Sequence, residues 1–572
     1  MPIQNAEIAA MFDQMADLLE IEGGNPFRAR AYRKAARTIE TLPQSVAVLI
    51  AAKKDLSELP GIGKDLAGKI AEIAASGRFK VLQSLKRRLP GELGEMAAVP
   101  GLGPKRVKLL FDRLHIRTLE KLRRAARSGR IRELKGFGEK TEEKILAALE
   151  KPIVRQKRFK LAVAEEEAQT LVAYLKPIVG KADIAVAGSY RRRRETVGDL
   201  DIVATAPKTN VVGDRLIAYE NVAEVLAHGT TRTTVVLRSG IQVDLRVVPA
   251  HSYGAALLYF TGSKAHNIAL RGMANERGWK LNEYGLFDAN RRIAGATEVE
   301  IYKKLGLEYV PPELREDRGE VELAREHHLP DLIDLGDIRG DLHAHTDWSD
   351  GTASIAEMAA AAKERGYEYL AVTDHSRRVT VAHGLDSARL SRQIRQIDRA
   401  NEKLDGITLL KGSEVDILAD GRLDLPDHIL AQLDIVVAAV HYKFDLPRAA
   451  QTERIIRAMD NRYVTVIAHP TGRLIGEREP YDIDIDRLLS AAKERGCFLE
   501  INAEPDRLDL DDVHAKTAKA TGVKLAISTD AHATQMLAYM RFGVDQARRG
   551  WIEAKDVINT RSLAHLSKLI KR

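Results

Sequence analysis

The sequence predicts a multidomain protein, α+β in its first part and α/β in its last. Three observations carry that expectation. The chain has 572 residues, too many for one hydrophobic core. Residues 1–150 read as helix after helix between Gly- and Pro-containing turns, and β-branched runs that read as strands follow in 183–203 and 230–248. After residue 336, short apolar runs alternate with helical stretches, the rhythm of a β/α layer or barrel.

The composition, with 45% hydrophobic and 5% aromatic residues, suits a soluble, helix-rich protein. Cys497 is the single cysteine, which excludes an intramolecular disulfide framework and a Cys-rich zinc site and fits a reducing cytoplasm. The N-terminus, MPIQNAEIAAMFDQMADLLEIEG, carries acids where a secretory signal needs a basic region before an apolar run. No run of about 18 apolar residues is present, so a cytoplasmic protein without a membrane partner is expected. Residues 1–336 hold 55 Lys+Arg against 44 Asp+Glu, and the remainder 34 against 37. The positive excess thus lies in the first part, as a grip on a polyanion or as a solubilising surface.

The helical region contains a repeat: LPGIGKDLAGKI at 59–70, VPGLGPKRVKLL at 99–110 and LKGFGEKTEEKI at 134–145. Each copy places G-x-G before a helix start, at Gly61 and Gly63, Gly101 and Gly103, and Gly136 and Gly138. Two glycines allow a tight turn that leaves backbone N–H groups at the helix N-terminus pointing outward. Such donors bind phosphate without reading a base. One G-x-G is also a plain helix–helix connection. Three copies flanked by Lys64, Lys69, Lys105, Arg106 and Lys140 resemble helix-hairpin-helix motifs and point to DNA.

Strands are expected in 183–203 and 230–248, from IAVAGSY, DLDIVAT, TTVVLRSG and IQVDLRVV. In GSYRRRRETVGDLDIV, residues 188–203, Asp199 and Asp201 stand two apart on one strand and face the same side. Paired acids repel unless a cation lies between them, and oxygen ligands at this spacing suit Mg²⁺ or Mn²⁺. Two such ions could activate a primer hydroxyl and stabilise a leaving pyrophosphate. Asp244 in IQVDLRVV is the candidate third carboxylate. Gly188 and Ser189 supply a turn and a hydroxyl for a triphosphate, and Arg192 a counter-charge.

G-S-Y-R-R, then G-D-L-D, then an acid strand and YFTGS, over about residues 1–315, resembles the family X DNA polymerases, the group that contains polymerase beta. The resemblance implies a nucleotidyltransferase palm with a mixed sheet, followed by a thumb. It implies that Asp199, Asp201 and Asp244 are metal ligands and that Asp244 activates the primer hydroxyl. It assigns Tyr259, Phe260, Thr261 and Gly262 to the nucleotide pocket, with Tyr259 crowding the sugar 2′ position. Asn267 would contact the incoming base and Arg271 the template side, while Arg246 would tune the acid strand. Without the family, Tyr259 and Phe260 read as core aromatics. Lys69 falls where relatives carry a Schiff-base lysine for 5′-deoxyribose phosphate removal, with Arg28, Tyr32 and Arg33 placed to hold the phosphate. Asp65, however, stands where the eukaryotic relatives have a basic residue, so Lys69 has either that role or a backbone-phosphate contact.

The C-terminal part carries nine acids and histidines, most of them just after a short apolar run. They are His343, His345 and Asp350 in DLHAHTDWSDG, His375 in TDH and Glu414 in KGSEVD. His441 follows in AAVHYK, His469 in AHPTGR, and Asp530 and His532 in STDAH. Barrels gather catalytic residues at such strand ends. Nine N/O ligands suffice for two or three ions, and the mixture suits Zn²⁺ or Mn²⁺. The pattern resembles the PHP domain over about 337–572, which implies a distorted (β/α)7 barrel. By that resemblance the domain hydrolyses phosphoesters as a 3′–5′ exonuclease, and extends to 3′-end trimming or abasic-site cleavage. Arg473 and Lys443 could bind substrate phosphate or lie on the surface, and Cys497 reads as a core residue.

The expected domains are therefore 1–90 (helical, lyase-like), 91–150 (two helix-hairpin-helix motifs), 151–255 (palm), 256–315 (thumb), 316–336 (linker) and 337–572 (PHP). The expected function is gap filling in base excision repair by a monomer acting on gapped or primer-template DNA and deoxynucleotides. Two rivals are a DNA-end-processing hydrolase whose polymerase half only positions DNA, and a non-catalytic DNA-binding scaffold.

Overall fold

The computed structural model describes residues 5–571 apart from 24, 41–45, 52, 60, 90, 91, 98, 100, 101, 135, 151–157, 181, 182, 207 and 208. The chain forms two compact units, Met1–Lys157 and Arg158–Arg572. Among the described residues the first unit is helical. Its core includes Phe12, Tyr32 and Phe79, with Phe12 packed edge-on against Tyr32 at a ring-centroid distance of 5.2 Å. No helix among the described residues is long and apolar enough to cross a membrane.

The second unit opens with strands β1 (Phe159–Lys160), β2 (Ile184–Val186), β3 (Thr196–Val197), β4 (Asp199–Ala204), β5 (Val222–His228), β6 (Arg232–Leu237) and β7 (Gln242–Val247). β1 and β3 form a short ribbon. The others form a mixed sheet, β2-β4-β7-β6-β5, in which β4 and β7 run parallel. Alternation in β4 sends Leu200 and Ile202 into the core and leaves Asp199 and Asp201 half-buried on the other face. IAVAGSY differs from the expected strand, because β2 ends at Val186 and Gly188–Arg191 is helical. Gly188, at φ +65°, turns the chain there. β5 was not expected; it is a largely exposed edge strand without an alternating apolar pattern.

Helices Tyr253–Thr261 and Lys264–Glu276 precede the antiparallel strands β8 (Trp279–Asn282), β9 (Gly285–Asp288) and β10 (Arg291–Ala294) and the helix Glu298–Lys304. Residues 316–336, expected as a plain linker, form a packed strap with the helix Glu320–Glu326. The Glu320 carboxylate is buried against His266 Nδ1 at 2.7 Å and accepts from the backbone N–H groups of Asp317 and Arg318.

The remaining strands are β11 (Gly340–Ala344), β12 (Tyr369–Val372), β13 (Thr408–Asp416), β14 (Ile435–Ala439), β15 (Val466–Ile467), β16 (Phe498–Asn502) and β17 (Leu525–Ser528). They run parallel in sequence order. A bridge between Ala344 and Ala531 and the hydrogen bond from Asp530 N to His343 O, 2.9 Å, nearly close the barrel. Nearly every strand residue is buried, because both faces are covered. One set, with Leu370, Val372 and Leu499, packs on helices, and the other, with Leu342, Val437 and Ala526, fills the barrel interior together with Ile558, Leu566 and Ile570 of the C-terminal segment. Ile475, Leu508 and Phe542 of this barrel region belong to the hydrophobic core of the β2–β7 sheet.

Candidate active sites

The glycine turns recur in detail. Ile62 N donates to Leu59 O at 3.0 Å, Leu102 N to Val99 O at 2.8 Å and Phe137 N to Leu134 O at 2.9 Å. The residue between the glycines is buried each time, as Ile62, Leu102 and Phe137. The second glycine precedes the helices Lys64–Ser76, Pro104–Leu114 and Glu139–Glu150. Around Gly63, Gly103, Gly136 and Gly138 nothing lies where a Cβ would point, so these backbones face open space. Gly61 lies against the Lys34 side chain, and Lys105 is exposed. Gly101 and the Lys140 side chain lie outside the described residues.

On the parallel pair β4–β7, Asp201 and Asp244 are direct register partners. Asp244 accepts from Thr234 Oγ1 and Gln242 Nε2, each at 2.6 Å, and from Arg232 at 3.2 Å. Burial, then the charges of Asp199 and Asp244, push the Asp201 carboxyl up to about 7. Asp199 is raised by burial and then by Asp244. Carboxylates that repel one another at an all-oxygen site fit a hard divalent cation. A Cβ on Gly188 would stand 2.7 Å from Asp201 Oδ2, so this turn is pressed against the acid strand. Ser189 sits in the short helix Gly188–Arg191. Arg192 bonds to Glu316 Oε1 at 3.1 Å and to the Thr261 carbonyl. Arg246 stacks over Phe260 with its guanidinium 5.3 Å from the ring centroid.

Tyr259, Asn267 and Arg271 line one small pocket with Leu258 and Asn282. Asn267 Nδ2 donates to Tyr259 O at 2.7 Å, and Arg271 Nε to Asn267 O at 3.1 Å. Tyr259 is exposed and Phe260 half-buried, which corrects their reading as core aromatics. Thr261 is buried and accepts from Arg191, and Gly262 ends the helix beside Arg192.

In the first unit, Lys69 Nζ lies 2.5 Å from Asp65 Oδ2 and over the Tyr32 ring at 5.5 Å. Burial favours the neutral amine, but Asp65 and Tyr32 outweigh it and raise the Lys69 ammonium above its usual range. A Schiff-base lysine needs the opposite shift. Arg33 is paired with Asp17 and Glu20, and Tyr32 is buried, so neither stands open to a phosphate; Arg28 is exposed.

All nine acids and histidines of the C-terminal part meet at one end of the barrel. Three overlapping groups are close enough to share an ion: His345, Asp350, His375 and His532; His343, His345 and Asp530; His375, Glu414 and His441. His469 joins through Nε2, 3.0 Å from Glu414 Oε1. His375 Nδ1 and Glu414 Oε2 approach to 2.7 Å without hydrogen-bond geometry, and His345 Nδ1 has no hydrogen-bond partner, with Asp350 Oδ1 at 3.9 Å. Lone pairs aimed at a common centre in this N/O set fit Zn²⁺ or Mn²⁺. Against burial, His441, His375 and His343 hold Glu414 far below the usual carboxylate range, and Glu414 with Asp350 pushes His375 up to about 10. His345 goes the other way, to about 3, through burial and the neighbouring His532 and His375.

The supporting shell was not anticipated. Glu500 is fully buried, pairs with His343 Nδ1 at 2.8 Å and accepts from His469 N at 2.7 Å. Asn502 donates to Glu500 and Asp530, and Asp416 lies 3.3 Å from His441 Nδ1. Glu500 in CFLEINA was findable as an acid directly after the apolar run CFL. The arginine on the cavity of about 230 Å³ is Arg507, not Arg473. Arg473 is spent on Glu195 and on the carbonyls of Arg507 and Leu508. Lys443 is exposed and does not line the cavity, while Cys497 is buried in the core.

Known proteins match along the whole chain. The DNA polymerase beta palm and thumb models match residues 162–245 and 256–316, and the PHP domain model 341–504. A helix-hairpin-helix domain matches 3–79 and a SAM-like helix-hairpin-helix tandem 93–151. "DNA polymerase/3′-5′ exonuclease PolX" of Bacillus subtilis (strain 168) is 40% identical over 570 residues, 99% of each chain. The chain belongs to the PHP-containing family X DNA polymerases. A "probable phosphatase" of Thermoanaerobacter sp. (strain X514) is 35% identical over 234 residues, 38% of this chain and 89% of its own. Another, from Caldanaerobacter subterraneus subsp. tengcongensis, is 35% identical over 203 residues, 34% of this chain and 75% of its own. The family X palm thus carries the three aspartates, and the PHP barrel the histidine centre.

Proposed function

We propose that this family X chain is a DNA-directed DNA polymerase that fills short gaps in base excision repair, and that its PHP domain is a metal-dependent 3′–5′ exonuclease and phosphoesterase. The observation that carries the proposal is the register pairing of Asp201 with Asp244 on adjacent parallel strands, with Asp199 on the same face. The Bacillus relative, which bears both activities in its name, supports the pairing of functions.

Two Mg²⁺ or Mn²⁺ ions held by Asp199, Asp201 and Asp244 would activate the primer hydroxyl and neutralise the leaving pyrophosphate. The chain's own residues prepare that step. Thr234 and Gln242 fix the Asp244 carboxylate in orientation. Gly188 and Ser189 offer backbone and hydroxyl to the triphosphate, and Arg192 would exchange Glu316 for a phosphate oxygen. Tyr259 crowds the sugar 2′ position, Asn267 meets the incoming base and Arg271 the template. In the PHP domain, Mn²⁺ or Zn²⁺ would activate water for attack on the phosphodiester. Glu500 orients His343 through its ring Nδ1, and Arg507 meets the scissile phosphate.

The proposed domain division keeps the boundaries expected from sequence except that 316–336 is a packed strap rather than a linker, with Gly63, Gly103, Lys105, Gly136 and Gly138 on DNA phosphates, and the protein acts as a cytoplasmic monomer. Lys69 is assigned a backbone-phosphate contact, because its ammonium is held by Asp65.

A 5′-labelled primer on one-nucleotide-gapped DNA with Mn²⁺ tests the proposal. Asp201→Asn should lose extension and keep shortening; His343→Ala should lose shortening and keep extension. A wild-type protein that never extends the primer refutes the polymerase assignment.

A further inference from the structure

The PHP cavity is ionic on every side but one. Apart from metal-ligand candidates and Arg507, its lining consists of Val379, Val381 and Ala382, all from the loop that follows His375. Val381 is 91% exposed, the most exposed large hydrophobic side chain among the described residues. A single apolar side chain on a protein surface is ordinary. One standing at the mouth of a histidine- and carboxylate-lined cavity is not, because water and ions there gain nothing from it.

The loop presents Val381 rigidly. Ser376 N donates to Glu414 O at 2.9 Å, and Leu385 N to His375 O at 2.7 Å, so both ends are pinned to residues of the metal centre. Ala382 N and Gly384 N both donate to Val379 O at 3.1 Å. Arg378 N donates to Asp424 Oδ2 at 3.0 Å, and its guanidinium lies 3.9 Å over the Tyr442 ring. A Cβ on Gly384 would stand 1.9 Å from Ser376 O, so the turn closes on itself without room for a side chain at that position.

We propose that Val381, backed by Val379, is the base-side wall of the exonuclease site and packs against the nucleobase of the 3′-terminal nucleotide. The inference rests on the exonuclease reading of the PHP centre. A phosphodiester held by the ionic floor and Arg507 must direct its nucleoside toward the mouth, where these valines supply the apolar surface. The β-branched side chain has a stiff χ1 and offers a fixed contact to the flat face of a base. A base stacked in a duplex cannot lie on it. The contact therefore selects unpaired 3′ ends, at which the terminal base swings free.

The test uses the full-length protein with Mn²⁺ and two 5′-labelled single strands, one ending in a normal nucleotide and one in an abasic tetrahydrofuran nucleotide. Val381→Ser should raise KM on the normal end about fivefold, the factor for an apolar side chain that a base covers on one face only, with kcat unchanged. The abasic end presents no base to lose and should be shortened with the same KM by both proteins. Val381→Phe should lower KM on the normal end alone. Equal effects on the two ends, or no effect of either substitution, overturn the inference while leaving the exonuclease reading intact. A wild-type protein that shortens neither strand overturns that reading, and the inference with it.

Discussion

At Gly188 a methyl group would stand 2.7 Å from Asp201 Oδ2, and the φ of +65° is one that L-residues seldom adopt. Gly188→Ala must therefore shift either the turn or the carboxylate. A displacement of about 1 Å at a reacting group costs on the order of 100-fold in rate. Nucleotide addition should fall by about that factor, with 3′ shortening unchanged; equal primer extension by the variant would refute the coupling. In the barrel, Glu500→Gln removes a charged partner from His343 Nδ1. Manganese affinity, measured by calorimetry on metal-depleted protein, should weaken by about 10–100-fold, the usual effect of losing such a support. Unchanged affinity would mean that His343 is oriented by its strand alone. The nine candidate ligands were legible in the sequence because strand ends and i,i+2 spacing are local properties. Glu500 stood out only as an acid in a strand; its supporting role, and that of Asn502, was not legible, because it depends on groups contributed by other strands.

Among elements, the helix Glu298–Lys304 is secured by Glu298 at its N-terminus, which holds Arg191 at 2.7 Å and Arg315 at 2.6 Å. Burial opposes the Glu298 charge, but Arg315 and Arg191 outweigh it and bring the carboxyl from 4.5 down to about 2. A carboxyl with a depressed folded-state pKa contributes stability that is fully present above 4.5 and is lost as pH falls toward about 2. The contribution is about 3 kcal/mol at neutral pH as an upper figure. Glu298→Gln should melt lower at pH 7, and the gap to wild type should narrow as pH drops below 4.5. A gap that stays constant between pH 7 and 3 would show that the pair is not what stabilises the helix. The same ionic chemistry explains why the strap at 316–336 was read as a linker. Glu316, Arg318 and Glu320 look solvated in a one-dimensional pattern, yet each meets a partner far along the chain, as Arg318 does with Asp512 at 2.8 Å.

At the scale of the second unit, palm and barrel are not independent bodies. Phe542, Leu508 and Ile475 complete the palm core, and Trp551 joins the thumb core. Around that seam, Arg193 reaches Asp545 at 2.5 Å, Arg473 reaches Glu195 at 2.8 Å, and Arg549 spans Glu316 and Asp512. The alternation of β and α runs made the barrel legible, and the acid strands made the palm legible. Their fusion was not, because the arginine run 191–194 has the composition of a DNA-facing patch, and except for Glu165 the acids that pair with it, Glu298, Glu316 and Asp545, lie more than a hundred residues away. A shared core predicts shared unfolding. Truncating a buried phenylalanine costs about 3–5 kcal/mol, and if the seam belongs to both bodies that cost is felt in both. Hydrogen–deuterium exchange on Phe542→Ala should therefore show loss of protection in β4 and β7 of the palm together with β16 and β17 of the barrel. Loss confined to the barrel strands would mean that the palm folds by itself and only rests on its neighbour.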